Sequence, residues 1–250
     1  PSDAALLSSP NNTLGIEYGR ALLRVGAAPA LFTIPRTGAA HDATPENAGG
    51  YSASAIRHLL AEGRRADALS RMVPAMRTVY EVEEAAGRAP VFAAACGRAI
   101  LARLRSMTPA EFDALDTGHE GVGQRLYNAS RNAATLDAVL DNAKTKRYAY
   151  ARLRRMVLWA YLGLSPAELP ASVPYLRVLA ANETGRALLG RMRKTARFPV
   201  ITKPAAIRSL SPDSQRLFET ESRAADLYAL AYPELTEACG SLWRQNPVMP

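Results

Sequence analysis

The sequence predicts a mainly α chain with an α/β remnant at its front, and three observations predict it. One short apolar run, Ala30-Leu31-Phe32-Thr33-Ile34, reads as a buried strand between two helical segments. From about Arg65 onward nearly every apolar run has helical spacing. Only Tyr175-Leu176-Arg177-Val178-Leu179 and Phe198-Pro199-Val200-Ile201-Thr202 interrupt it as short strands. A soft boundary therefore falls near residues 62–90, with residues 1–62 read as the end of an α/β domain and residues 63–250 as a mainly helical one.

Taken in order, Asn11 or Asn12 caps a helix running to about Val25, with Leu14, Tyr18, Leu22 and Leu23 on one face and Gly26 ending it. The strand at 30–34 stops at Pro35, and a Gly-rich loop, Arg36 to Tyr51, follows. Ser52 or Ser54 caps the next helix, through Leu60. Helix, strand, loop, helix is the order of the last third of a Rossmann-like unit. One strand makes no sheet, so its neighbours are expected from residues outside these 250 or from another chain. Further on, Thr108-Pro109-Ala110-Glu111 is a capping box with Pro at the first helical position, and Thr135 caps a segment carrying Leu136, Val139, Leu140 and Ala143. Tyr148 to Leu162 reads as a long apolar-basic helix closed by Gly163 and Pro166, and a helix runs from Asn182 through Lys194. Ser211-Pro212 opens a final helix to about Tyr232.

Composition narrows the function classes. A chain of 250 residues with 48% hydrophobic content buries at least one substantial core, yet no run approaches the ~18 apolar residues of a membrane span. Pro1-Ser2-Asp3-Ala4 has neither the charged nor the apolar region of a signal peptide, and the missing initiator Met predicts a processed or truncated chain. Two distant cysteines, Cys96 and Cys239, give no disulfide framework or structural zinc spacing, which predicts a cytoplasmic protein. The formal net charge is +8 with a pI near 9.8, and the excess is clustered. Lys144 to Arg155 holds six cations (Lys144, Lys146, Arg147, Arg152, Arg154, Arg155) and no acid. Gly185 to Lys203 holds six more (Arg186, Arg191, Arg193, Lys194, Arg197, Lys203), again with no acid. Clustered cations point to a polyanion, because each one set against a phosphate releases condensed counterions.

Three short motifs carry candidate chemistry. Ser9-Pro10-Asn11-Asn12-Thr13-Leu14-Gly15-Ile16-Glu17-Tyr18 feeds a polar turn into a helix start, where N–H groups and an Asn amide meet an anion or nucleotide; an ordinary N-cap is the plainer account. Tyr51-Ser52-Ala53-Ser54-Ala55-Ile56-Arg57 offers hydroxyls, a helix start and an arginine about one turn on, a compact phosphate site or else a cap with a surface arginine. Arg36 follows the strand at its carboxyl end, where open α/β sheets bind ligands, and His41-Asp42 stands shortly beyond. In the basic run, helical spacing places Lys144, Arg147, Tyr148, Arg152, Arg154 and Arg155 within an arc of about 160°, opposite Ala149, Leu153, Met156, Val157 and Ala160. That face suits a phosphate backbone and one stacked base; a solvated Lys/Arg face is the rival reading. Trp159 and Tyr161 fall beyond it, in the core.

Together, Ser-Pro-Asn-Asn-x-Leu-Gly-Ile-Glu-Tyr from Ser9, Thr33-Ile34-x-Arg36, His41-Asp42 and Ser52-Ala53-x-Ala55-Ile56-Arg57 resemble the tRNA(Met) cytidine acetate ligase family. The likeness continues in Glu120-Gly121-x-x-x-Arg125, in Thr145-Lys146-Arg147-Tyr148-x-x-x-Arg152-x-x-Arg155, in Val178-Leu179 to Gly185-Arg186 and in Ala225-Asp226-Leu227-Tyr228. The resemblance implies the last part of a Rossmann-like nucleotidyltransferase domain followed by a helical RNA-binding domain. It implies an enzyme that activates acetate with ATP, taken with Mg2+, as acetyl-adenylate and passes the acetyl group to N4 of the wobble cytidine of elongator tRNA(Met). It implies Asn11 and Arg36 as nucleotide-binding positions; Ser54 and Arg57 join them on the phosphate argument above. The basic run, Lys144, Lys146, Arg147, Tyr148, Arg152, Arg154 and Arg155, is the expected RNA-binding set.

One departure is large. None of His41, His58 and His119 lies in a His-x-Gly-His pattern, the family's phosphate-binding signature. Those histidines stabilise charge at the attacked phosphorus, so the chain by itself is expected to be incomplete for catalysis. Ala40 also stands where the family has an aromatic residue before His-Asp. A non-catalytic RNA-binding module or fragment is the alternative, and a relative acting on a small molecule a third.

Overall fold

The computed structural model describes Leu7 and residues 10–34, 52–116, 120–235 and 239–249. Arg36, His41, Asp42 and Tyr51 lie outside the described residues. By Cα proximity the chain divides into two compact units, Pro1–His58 and Leu59–Pro250. The described residues are mostly helical, as the periodicity predicts.

In the first unit, helix α1 spans Pro10–Val25 and ends as expected at Gly26, whose φ of 66° is a left-handed value that glycine adopts without strain. Proline's fixed φ suits a first helical position, so α1 begins at Pro10, two or three residues earlier than a cap at Asn11 or Asn12 would start it, and both asparagines sit inside its first turn. The strand expected at 30–34 does not form: residues 27–34 are irregular, and Leu31, Phe32 and Ile34 are 72%, 91% and 93% exposed. A strand is held by a neighbour's ladder and by cover on its faces, and no strand lies beside this segment among the described residues. Helix α2 (Ala53–Ala61) is capped by Ser52, whose Oγ accepts from Ala55 N at 3.1 Å, so Ser54 lies within the first turn.

In the second unit, α3 (Arg65–Ser70) and α4 (Pro74–Ala85) precede a main core. A 3-10 turn at Ala93–Cys96 runs into α5 (Gly97–Ser106). Then come α6 (Pro109–Asp113), α7 (Val122–Arg131), α8 (Leu136–Ala143) and α9 (Tyr150–Leu162). Their shared interior holds Leu104, Phe112, Val122, Leu126, Val139 and Leu153, all at 0% exposure, with Trp159 and Tyr161 packed at its margin. The capping box of Thr108 and Glu111 forms, and Thr135 Oγ1 accepts from Ala138 N at 3.1 Å. Arginines close other helix ends. Arg125 donates to Ala143 O (2.8 Å) and Asn142 O (3.0 Å) at the end of α8, and Arg131 donates to Met107 O (2.7 Å) after α5. Each supplies a partner to a carbonyl with no intrahelical donor.

The second core of this unit is a small βαβ element. Strands β1 (Leu176–Arg177) and β2 (Val200–Ile201) pair in parallel, Leu176 opposite Val200, and α10 (Glu183–Thr195) is the crossover between them. Both strands lie within the expected runs but are only two residues each. Asn182 caps α10, its Oδ1 accepting from Gly185 N at 2.9 Å. After β2, α11 (Pro212–Ala229) covers a core of Tyr175, Ile201, Ile207, Phe218 and Leu242. α11 was the expected final helix, but a short α12 (Ser241–Arg244) follows it and brings Trp243 edge-on to Phe218 at 4.6 Å.

Candidate functional site

The first unit displays the nucleotide candidates separately. Asn11 is exposed in the first turn of α1. Ser54 and Arg57 are exposed on α2, three residues apart and so on one side of it, near a helix start whose dipole favours anions. Among the described residues no hydrogen bond or ion pair joins Asn11 to Ser54 or Arg57. What α2 presents is therefore a hydroxyl and a guanidinium on one turn, the donor pair a phosphate takes.

The first cationic run departs most from its expected form. Residues 144–149 are not helical, and α9 begins at Tyr150 rather than Tyr148. Thr145 Oγ1 accepts from Tyr148 N at 3.1 Å, a local bond that competes with helix, and Ala149 is extended at φ −71°, ψ 148°. A single 100° progression thus cannot run from Lys144 to Arg155, and the common arc does not exist. On the inner side of α9, Leu153, Met156, Val157 and Ala160 are buried as expected, but Ala149 is exposed and outside the helix. Tyr148 is 7% exposed, and its hydroxyl donates to Glu120 O at 2.5 Å, so it is a core residue.

Acids absent from the run in sequence reach it in space. Arg152 meets Asp116 at 2.7 Å and Glu120 at 3.0 Å, and Arg147 lies 3.7 Å from Glu120. Asp116 first, then Glu120, hold the Arg152 guanidinium above its usual range. Lys146, Arg154 and Arg155 remain exposed, and Lys144 is half-buried with Nζ donating to Thr145 O at 2.6 Å. Sequence reasoning passed over Tyr150. Its ring is 37% exposed, with Lys144 and Arg154 each 5.6 Å from its centroid, and its hydroxyl donates to Asp141 at 2.5 Å. That bond and burial push the phenol above its ordinary pKa. Its spacing from two cations was the available signal; choosing between two tyrosines needed the helix start.

The second run keeps its charge open. Arg186, Arg191, Arg193, Lys194, Arg197 and Lys203 are all exposed, and among the described residues only Arg186 has a carboxylate in reach, Glu183 at 3.9 Å. A cavity of 960 Å³ lies between the 164–174 segment and α11, but its ionic groups already have partners. Arg216 pairs with Asp213, Glu221 accepts from Tyr175 at 2.9 Å, and Arg223 donates to Leu162 O at 3.2 Å.

Comparison with known proteins gives a consistent set of matches. The model of the HIGH Nucleotidyl Transferase family matches residues 2–241, although no His-x-Gly-His occurs in that stretch. The tRNA(Met) cytidine acetate ligase of Alkaliphilus metalliredigens is 32% identical over 234 residues, covering 91% of this chain and 55% of that protein. The protein of the same name from Acetivibrio thermocellus is 31% identical over 258 residues, covering 98% of this chain and 61% of that protein. Among solved structures, apo Thermotoga maritima TmcAL superposes with a TM-score of 0.89 at 25% identity, over 97% of this chain and 61% of that one. A form of the same protein bound with alpha-thio ATP gives a TM-score of 0.85 at 24% identity, over 97% and 60%. The chain thus spans 55–61% of the length of the relatives named here.

Proposed function

The chain belongs to the HIGH nucleotidyl transferase family, and from that premise we propose that its protein is an ATP-dependent tRNA(Met) cytidine acetate ligase. The observation that carries the reading is the similarity of nearly the whole chain to proteins of that name. A carboxylate oxygen of acetate attacks the α-phosphorus of ATP, taken with Mg2+, and pyrophosphate leaves. The N4 amine of the wobble cytidine of elongator tRNA(Met) then attacks the acetyl carbonyl, and AMP leaves. Asn11, Arg36, Ser54 and Arg57 are the proposed nucleotide side, all hydrogen-bond donors that match an anionic polyphosphate. On the RNA side the proposed contacts in the first run are Lys144, Lys146, Arg147, Arg154 and Arg155. Arg152 and Tyr148 shape that surface from within, through the bonds already described.

The protein containing this chain, given ATP, acetate and tRNA(Met), is expected to release pyrophosphate only with acetate present and to leave an acetyl group on the wobble cytidine, read by nucleoside mass spectrometry. Pyrophosphate release without acetylated cytidine would sink the reading. In that protein Arg36→Ala removes one charge-assisted hydrogen bond of about 1.5–3 kcal/mol, roughly a 10- to 150-fold loss of acetate-dependent exchange; a change under twofold removes Arg36 from the site. The 250-residue chain assayed by itself is expected to give no exchange above a blank, because no His-x-Gly-His lies within it. Binding of tRNA with no exchange by the whole protein would instead favour a non-catalytic RNA-binding module.

A further inference from the structure

We propose that the outward face of α10 takes the phosphodiester backbone of the tRNA, with Gly190 as the point of closest approach. This rests on the tRNA reading above and assigns that partner a surface. Taking 100° per residue, Arg193, Arg186, Lys194 and Arg191 fall within an arc of about 160°. The half-buried Gly185, Leu189 and Met192 lie opposite, facing the unit. All four cations are exposed, and Arg197 and Lys203 extend the patch toward β2. From Arg186 to Lys194 is about 12 Å along the axis, a span long enough to meet more than one phosphate of a strand.

Two plainer explanations cover only part of this. The helix dipole favours cations in the last turn, which accounts for Arg193 and Lys194 but not for Arg186, near the other end. Solubility explains exposed charge but not what lies among the charges. At the middle of the arc stand Ala187 and Gly190, the smallest residues available, with Arg186, Arg191, Arg193 and Lys194 four before, one, three and four after Gly190. A mid-helix glycine costs about 0.8–1 kcal/mol relative to alanine. Here it gains no packing in return, since a Cβ at Gly190 would meet nothing within 4 Å. A bare stretch of helix flanked by long cationic side chains lets a phosphate come down to the backbone while guanidinium and ammonium groups close over it. The helix is a fixed platform for this, capped by Asn182 and tied at both ends into the β1–β2 pair.

The test uses the full chain, an unmodified tRNA transcript and a series of salt concentrations. For the triple variant Arg191→Gln, Arg193→Gln, Lys194→Gln, the slope of log affinity against log salt is expected to fall by roughly 2 to 3 units, at ~0.7–0.9 per lost phosphate contact. Gly190→Gln changes no charge and adds a good helix former, so its thermal midpoint should stay level or rise while its affinity falls roughly tenfold. Circular dichroism checks that both variants keep their helicity. An unchanged slope in the triple variant, or unchanged affinity in Gly190→Gln, overturns the assignment to α10. If the matching triple Lys146→Gln, Arg154→Gln, Arg155→Gln then carries the whole fall in slope, the tRNA reading survives without α10. Wild-type chain that binds no tRNA ends the tRNA reading itself. Displacement of tRNA by polyglutamate as readily as by more tRNA overturns the choice of RNA as the partner.

Discussion

The two cationic runs look alike as sequence and differ as structure. Each has six cations and no acid. In the first, chain segments 32 and 36 residues away bring Glu120 and Asp116 onto Arg152, and Tyr148 turns inward to the Glu120 carbonyl. That run is a seam joining the start of α9 to the connection between α6 and α7, and part of its charge is spent inside the fold. In the second, one loose pair at 3.9 Å is all that the described residues offer, and the charge faces solvent. A like-charge run in a sequence reports only the acids missing nearby. Its use for a partner is fixed by what tertiary contact leaves over, and by that measure the second run is the better candidate.

The largest expected effect tests how tightly the seam's support is packed. Gly123 lies in α7, where an added Cβ would come 2.5 Å from Asp113 Oδ1 and 2.7 Å from Phe112 O. The second of these is backbone and cannot swing aside. Gly123→Ala is therefore expected to cost about 3 kcal/mol in urea unfolding, at the upper end of overpacking penalties. A cost below about 1 kcal/mol would mean that α6 and α7 yield easily, and that the seam is no more rigid than α10.

A smaller effect tests the seam's charge. In Arg152→Met the stem is kept and the guanidinium lost, leaving Asp116, whose side chain is 8% exposed, without its 2.7 Å partner. Breaking a buried ion pair costs about 3–5 kcal/mol; Arg152 is itself 26% exposed, which reduces the expectation to about 2 kcal/mol. The readout is the urea midpoint beside the salt slope of tRNA binding. Lost stability with an unchanged slope keeps Arg152 on the structural side of the comparison. An unchanged midpoint with a slope lower by about one unit would move it to the RNA side and erase the difference between the runs.

What the sequence made legible was local. The Thr108–Glu111 box, the Thr135 cap and the helix ends at Gly26 and Gly163 each depend on residues within a turn of one another, and each forms as read. Ser54 and Arg57 share a side of α2 for the same reason. Of what failed, the strand was set from farther away. The apolar run at 30–34 has strand composition, but composition supplies no neighbouring strand. The arc through Lys144 fails for a local reason: Tyr148 N donates to Thr145 Oγ1, three residues back, and helix begins only at Tyr150. The same two-residue shift in the start of α9 exchanges Tyr148 for Tyr150 as the exposed aromatic.

The smallest effect has the opposite sign and divides the two regions most cleanly. Gly123 and Gly190 are both helical glycines, with no positive φ at either, so backbone conformation does not distinguish them. Surroundings do. At Gly190 a methyl group enters open space, loses no contact and restricts the unfolded chain, so Gly190→Ala should raise stability by about 0.5–1 kcal/mol. At roughly 2–4 °C per kcal/mol for a chain of this size, the thermal midpoint should rise by about 1–4 °C. The same chemical change thus lowers stability on α7 and raises it on α10, and the difference between the two variants, about 4 kcal/mol, is larger than either measurement's error. If Gly190→Ala instead destabilises by about 1 kcal/mol or more, something packs against that face, and α10 is no freer to meet a phosphate backbone than the seam is.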